Sequence, residues 1–211
     1  MKTADLIKAI IQDSAARRAV AARVAIALGA GGIVAVALFA YALGVRPDIG
    51  DALQTWRFTA KLVIAVVFFA AALRATIELT RPDAMAGSAL IALAAPIMLL
   101  ASALGTELVA SPAASWSALA IGRNSLLCLT SITVLSTVPL AALLIAMREG
   151  APRSPALAGA AAGLLAGGLA AVLYAIHCVD DSPLFVAVWY TLAIALVGLT
   201  GAALGNRALR W

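Results

Sequence analysis

The residues best suited to chemistry are two cysteines and the only histidine of the chain. Cys178 directly follows His177 and shortly precedes Asp180 and Asp181, while Cys128 lies 50 residues earlier. Thiolate and imidazole are ligands for soft and borderline metal ions, and paired thiols can oxidise to a disulfide. Cys128, Cys178 and His177 could therefore bind a transient heavy-metal ion, or the two thiols could act as a pair. Alternatively, each cysteine is a small buried hydrophobe and His177 caps carbonyl groups at a helix end.

The residues after Cys178 carry a turn signal. Residues 180–183 read Asp-Asp-Ser-Pro, which provides N-cap chemistry followed by a proline suited to the first position of a helix. We expect Asp180 and Asp181 to belong to this turn and not to form a catalytic acid pair. The chain also lacks a CxxC, a Walker loop, an HExxH and a histidine pair for haem, so we expect no enzyme activity and no required cofactor.

Composition places these residues in a membrane protein. The 211 residues are 64% hydrophobic and 12% charged, with a mean hydropathy of +1.05, whereas soluble domains carry about 25% charged residues. The apolar residues fall in runs of about 20, the length of a helix that crosses a bilayer, and backbone groups in lipid must pair within helices. We predict an all-α polytopic membrane protein with six transmembrane helices at residues 24–45, 57–78, 84–106, 124–147, 154–176 and 183–205.

The first 23 residues differ from the rest of the chain, because they carry charges between their apolar residues. We predict a short amphipathic helix in a cytoplasmic segment 1–23, ahead of a six-helix transmembrane domain 24–211. Its apolar stripe could dock in a groove of a partner protein or lie on the membrane surface. The residues of the stripe recur at helical spacing: Leu6, Ile7, Ile10 and Ile11.

The basic residues indicate the topology. With six spans, eleven of the fifteen lysines and arginines fall on the side that holds both termini. The positive-inside rule then predicts cytoplasmic termini in a bacterial inner membrane. The net charge of +5 is thus spread over the ends of the spans, and we expect no direct contact with nucleic acid. The remaining four bases fall on the outer side: Arg46, Arg57, Lys61 and Arg123.

Two consequences follow for the outer side. Arg57 and Lys61 lie within the second span, so we expect both side chains to snorkel to the membrane surface. Cys128 and Cys178 fall at similar depths near this face, which in an inner membrane is the oxidising side where disulfides persist.

Glycines mark the last two spans as closely packed helices. They recur at the small-xxx-small spacing that lets helices approach in lipid, and this face could also support a homo-oligomer. The glycines of the motif are Gly159, Gly163, Gly167, Gly201 and Gly205.

The whole chain resembles the negative regulator of sigma F family of six-span bacterial membrane anti-sigma factors. The resemblance is carried by the opening MKTADLI, by NSLLCLTSI around Cys128, by the terminal ALRW and above all by residues 151–190, which read APRSPALAGAAAGLLAGGLAAVLYAIHCVDDSPLFVAVWY. It implies that the cytoplasmic N-terminal segment binds an extracytoplasmic-function sigma factor and keeps it from RNA polymerase. It also implies that Cys128 and Cys178 sense an envelope signal, such as redox or heavy-metal stress, that releases the sigma factor.

On this resemblance we expect the N-terminal apolar stripe to dock in a groove of the sigma factor, with Asp5 and Asp13 pairing with its basic surface. Two other functions stay open. A small transporter or channel would need a polar path through the middle of the membrane. A membrane thiol oxidoreductase would use Cys128 and Cys178 against a quinone.

Overall fold

The computed structural model describes residues 3–81, 86–148, 150 and 152–210, with side chains described outside 3–18, 86 and 88–90. All regular structure in these residues is helical. Within them, six helices are long and apolar enough to cross a membrane, which confirms the predicted all-α fold with six spans. The spans are Ala19–Ala42, Trp56–Leu79, Ile91–Ala110, Ser125–Met147, Pro155–Ala175 and Pro183–Ala208.

Short helices in the connections accompany the long ones and were not predicted. The last span contains one π-helical segment, Val186–Tyr190, between its first turn and its main helix. We number the α-helices in chain order as α1 Thr3–Ala42, α2 Ile49–Ala52, α3 Trp56–Leu79, α4 Ala86–Ala110, α5 Trp116–Ile121, α6 Ser125–Met147, α7 Pro155–Ala175, α8 Pro183–Phe185 and α9 Thr191–Ala208.

Hydroxyl caps set the beginnings of several helices. Thr55, Ser154 and Ser182 each accept a hydrogen bond from a backbone N–H in the first turn of α3, α7 and α8. Pro155 and Pro183 follow two of these caps, at a position where a helix needs no N–H donor. The cap residues thus fix where the chain turns back into the bundle.

The helix α1 is a single unbroken element of 40 residues. It contains both the predicted N-terminal helix and the first span, because residues 3–28 hold no glycine or proline and are rich in alanine. Residues 3–18 continue the span Ala19–Ala42 by about 24 Å at 1.5 Å per residue. A continuous helix therefore leads from the first span into the N-terminal segment.

The helix α7 is the centre of the bundle and packs against α9, α3 and α6. Its small residues allow this, since 61% of its span is buried compared with 17% for the span Ile91–Ala110. A Cβ at Gly159 would overlap the carbonyl oxygen of Gly201, and a Cβ at Gly163 would overlap that of Val197. The glycine faces expected to support an oligomer are thus packed against each other within one chain.

Candidate functional site

Charged side chains gather at the end of the bundle where α1 ends and α3 begins, which we call the Arg46 end. Asp181 accepts hydrogen bonds from Arg46 Nη1, at 2.9 and 3.1 Å, and from Lys61 Nζ at 2.5 Å. Arg46 also binds Asp48 through Nε at 2.8 Å and Nη2 at 2.7 Å. The side chains of Arg46 and Lys61 are only 6% and 1% exposed. Two cations and two carboxylates thus form a balanced, mostly buried network.

The network also holds the backbone of the connection before α8. The carbonyl oxygen of Cys178 accepts from Lys61 Nζ at 2.8 Å and from Arg46 Nη1 at 3.2 Å. The fully buried ring of Phe58 supports both cations, with 5.1 Å from its centroid to Lys61 Nζ and 5.6 Å to Arg46 Cζ. The expectation that Lys61 snorkels to the surface is therefore wrong, because it finds an acidic partner inside the bundle.

The charges perturb the ionisation of Arg46 and Asp48, which lie outside the spans. Hydrogen bonds to Asp48 and Asp181 raise the pKa of Arg46 against the effect of burial. The hydrogen bonds from Arg46 lower the pKa of Asp48 from 3.8 to about 2. Both groups are thus charged across the neutral range, and their pairing persists there.

A second ion pair at this end joins a partly exposed arginine to a buried carboxylate. Arg57 Nε donates to Glu107 Oε2 at 2.9 Å, and its Nη2 donates to Ser111 Oγ at 3.1 Å. The carboxylate of Glu107, whose side chain is 0% exposed, also accepts from the hydroxyls of Ser111 and Ser182 at 3.1 and 3.5 Å. These contacts tie α3 and α4 to the start of the last span.

Asp180 serves a different purpose from its neighbour Asp181. Its carboxylate accepts from the backbone N–H of Arg123 and Asn124, at 2.9 to 3.1 Å, and from Asn124 Nδ2 at 3.1 Å. The preceding Gly122 has a φ of 62°, and a Cβ there would lie 2.5 Å from Phe185 Cδ2. Asp180 therefore fixes the entry to α6, while Asp181 pairs with buried cations.

The structure brings the two predicted cysteines into one buried cluster with Tyr174 and Tyr190. Cys128 is 0% exposed and Cys178 is 1% exposed, and both are free thiols. Burial raises the pKa of Cys178 above its ordinary value of 9.0, so the unreactive thiol predominates in this state. A sensing reaction at these sulfurs would first require the cluster to open.

His177 contacts the backbone that follows α1 and not the thiols. Its Nδ1 lies 3.0 Å from the carbonyl oxygen of Gly44, a contact that places the ring proton on Nδ1. Among the residues that the structure describes, no three His, Cys, Asp or Glu side chains are arranged to hold a metal ion. Metal capture at Cys128, Cys178 and His177 would thus also need a rearrangement.

The side chains of the predicted sigma-binding residues lie outside the part of the chain that the structure describes. Only the helical backbone that carries them is described. They are Asp5, Leu6, Ile7, Ile10, Ile11 and Asp13.

Sequence reasoning missed the residues that build the Arg46 end. Lys61 inside an apolar run and Glu107 at the end of one were visible signals, since a buried charge in a bundle usually has a partner. The partners could not be assigned without knowing how the helices pack.

The fold and the site define a six-span helical membrane protein whose polar connections meet in a balanced charge network. The chain belongs to the negative regulator of sigma F family, whose model matches residues 11–211. It is 36% identical over 213 residues to the probable anti-sigma-F factor NrsF of Azospira oryzae, and 34% identical over 215 residues to the anti-sigma-F factor NrsF of Caulobacter vibrioides. Both alignments cover all of each chain, and the family is regulatory and not enzymatic. No solved structure matches the chain.

Proposed function

We propose that the chain is an anti-sigma factor of a bacterial inner membrane that sequesters an extracytoplasmic-function sigma factor through residues 1–23. An envelope signal at the opposite end of α1 releases the sigma factor. The signal is redox or heavy-metal stress that acts on Cys128 and Cys178. Both termini lie in the cytoplasm, and the Arg46 end faces the outside.

One observation carries the proposal: the helix that bears the N-terminal segment is attached at its other end to the connection that contains Cys178. The backbone N–H of Arg46 donates to the carbonyl oxygen of Ile176 at 3.1 Å. Arg46 Nη1 reaches the carbonyl oxygen of Cys178, and His177 contacts Gly44. Residues 176–181 thus hold the chain just beyond the end of α1, and a change in their conformation displaces that helix.

The chemistry at the sulfurs supplies the change. Oxidation forms a bond between Cys128 and Cys178 and passes two electrons and two protons to an oxidant in the envelope. A heavy-metal ion instead displaces the two thiol protons and binds both sulfurs. Either event pulls Cys178 towards Cys128 and weakens the contacts of its carbonyl group with Arg46 and Lys61. The signal acts by its different affinity for the two states of α1.

The orientation is supported by the distribution of the basic residues. Four of the fifteen lysines and arginines fall at the Arg46 end, and the other eleven fall at the end that holds both termini. The positive-inside rule counts lysines and arginines, so this distribution favours a cytoplasmic position for the end with both termini.

Sigma-factor binding can be tested with the apolar stripe of residues 1–23. We expect Ile7→Asp combined with Ile10→Asp to abolish co-purification with the cognate sigma factor, because a charge in an apolar groove is strongly unfavourable. The matched control is Gln12→Asp, which adds an acid away from the stripe. Equal retention of the sigma factor by the stripe variant and the control would contradict the proposal.

Release can be tested separately from binding. We expect Cys128→Ser combined with Cys178→Ser to retain the sigma factor during oxidant or heavy-metal stress, measured with a reporter that depends on that sigma factor. If the reporter is induced in this variant as strongly as with the native chain, the cysteines are not the sensor. The proposal that the chain sequesters the sigma factor would be unaffected.

A further inference from the structure

We propose that the Arg46 end contains a binding site for an oxyanion of the phosphate class. The site is a cleft of about 950 Å³ that Arg57 and Arg123 line, together with Trp56, Asp180 and Asp181. Asp180 and Asp181 also belong to the connection that carries the proposed signal, whereas Arg57 and Arg123 have no part in the proposed sensing function. The inference does not depend on sigma-factor binding.

The acids that line the cleft are already satisfied by the protein. Asp181 accepts from Arg46 and Lys61, and Asp180 accepts from two backbone N–H groups and the Asn124 amide. The acceptor oxygens of both carboxylates are thus already occupied by donors of the protein. This leaves them few free positions with which to bind a ligand cation.

The donors that line the cleft have spare capacity. Arg123 is exposed, and its guanidinium has no ion-pair partner in the part of the chain that the structure describes. Arg57 donates from Nε to Glu107 and from Nη2 to Ser111, which leaves Nη1 for a ligand. Its side chain is 38% exposed, whereas that of Glu107 is 0% exposed, so an anion can approach Arg57 from the solvent side. Unused guanidinium donors select a ligand with several acceptor oxygens, as phosphate has.

The position of the cleft allows the oxyanion to come from either of two sources. Trp56 and Trp116 are 44% and 36% exposed at this end of the bundle, as aromatic residues are at the level of lipid headgroups. The oxyanion can thus come from the phosphate group of a lipid or from free phosphate in the surrounding water.

The experiment measures binding to the purified full chain without a sigma factor. One arm titrates inorganic phosphate against the detergent-solubilised protein by equilibrium dialysis. The other measures lipid retained after exchange from phosphatidylcholine vesicles with and without phosphatidylglycerol. We expect Arg123→Gln to weaken binding about tenfold, as the loss of a charge-assisted hydrogen bond does. Arg57→Lys, which keeps a cation beside Glu107 and removes the forked donors, should also weaken it.

The control is Arg153→Gln, which removes an exposed arginine at the opposite end of the bundle. Phosphate binding that Arg123→Gln weakens identifies a free anion, and selective loss of phosphatidylglycerol identifies a lipid headgroup; both support the site. The proposal is overturned if the native chain binds neither probe, or if Arg123→Gln and Arg153→Gln bind equally. A chain that failed to sequester a sigma factor would still give the same phosphate and lipid binding, so the two proposals are tested separately.

Discussion

Lys61 and Asp181 lie 120 residues apart in the chain, and their side chains meet with 2.5 Å between Nζ and Oδ1. The Lys61 side chain is 1% exposed and that of Asp181 is 16% exposed, so water screens this pair weakly. The contact attaches α3 to the connection before the last span, next to Cys178. The position of that connection thus depends on a buried ion pair as well as on apolar packing.

Asp181→Asn should destabilise the fold by about 3–5 kcal/mol, the cost of leaving a buried charge without its partner. Arg46 and Lys61 both lose their shared carboxylate in this variant. The free energy of unfolding in detergent is the measurement, with Asp51→Asn at an exposed position of α2 as the control. The double variant Lys61→Met and Asp181→Leu should recover much of the loss, since an apolar pair can replace a buried ion pair. Equal stability of Asp181→Asn and the control would show that the pair is dispensable.

Gly159→Ala should destabilise the contact between α7 and α9 by about 1–3 kcal/mol, because the added methyl group overlaps the backbone of α9. The matched control is Gly105→Ala in α4, where a Cβ has nothing within 4 Å. That change should stabilise the helix by about 0.5–1 kcal/mol. The melting temperature should therefore fall for Gly159→Ala and rise for Gly105→Ala. A shift in the same direction for both variants would contradict the close contact between α7 and α9.

The native thiols should react slowly with a maleimide, because Cys128 and Cys178 are buried. Labelling should become fast when the protein is unfolded in dodecyl sulfate. Val179→Cys in a variant that lacks both native cysteines is the positive control, since Val179 is 49% exposed. Rapid labelling of the folded native chain would mean that the buried cluster opens readily without a signal.

The raised pKa of Cys178 also predicts a dependence of stability on pH. Burial favours the protonated thiol in the folded state, whereas the unfolded thiol ionises near 9.0. The stabilising contribution is therefore complete below pH 9 and declines as the pH rises above it. Stability from pH 8 to 10.5 should fall less steeply for Cys178→Ser than for the native chain, and identical slopes would argue against a buried thiol.

The lowered pKa of Asp48 predicts that stability also depends on pH in the acid range, where it should fall as the pH falls. Its pKa is lowered from 3.8 to about 2 by the hydrogen bonds from Arg46, so its contribution is present above pH 4 and is lost as the pH falls through 2. The melting temperature of Asp48→Asn should lie below that of the native chain at pH 5, with the gap closing by pH 2. High salt should narrow the gap because Asp48 is half exposed.

Several features of this protein could be predicted from local patterns. Runs of apolar residues define the six spans, because bilayer thickness and backbone pairing constrain each span on its own. Ser182 and Pro183 mark the start of the last span, and the glycine spacing marks α7 and α9 as helices that approach closely. Cys128 and Cys178 could be placed at one depth by counting helical rise along two neighbouring spans.

What the sequence by itself determined about this protein is thus its spans, its helix ends and its family. Only the tertiary structure decided that Lys61 points inward to Asp181 and that Asp180 and Asp181 have separate partners. Hydropathy and helix capping depend on residues that are close together in the chain, so local sequence patterns can predict the spans and the helix ends. The pairing of Lys61 depends on how α3 is rotated about its axis and on which helices pack beside it, and these are set by contacts between residues more than a hundred positions apart.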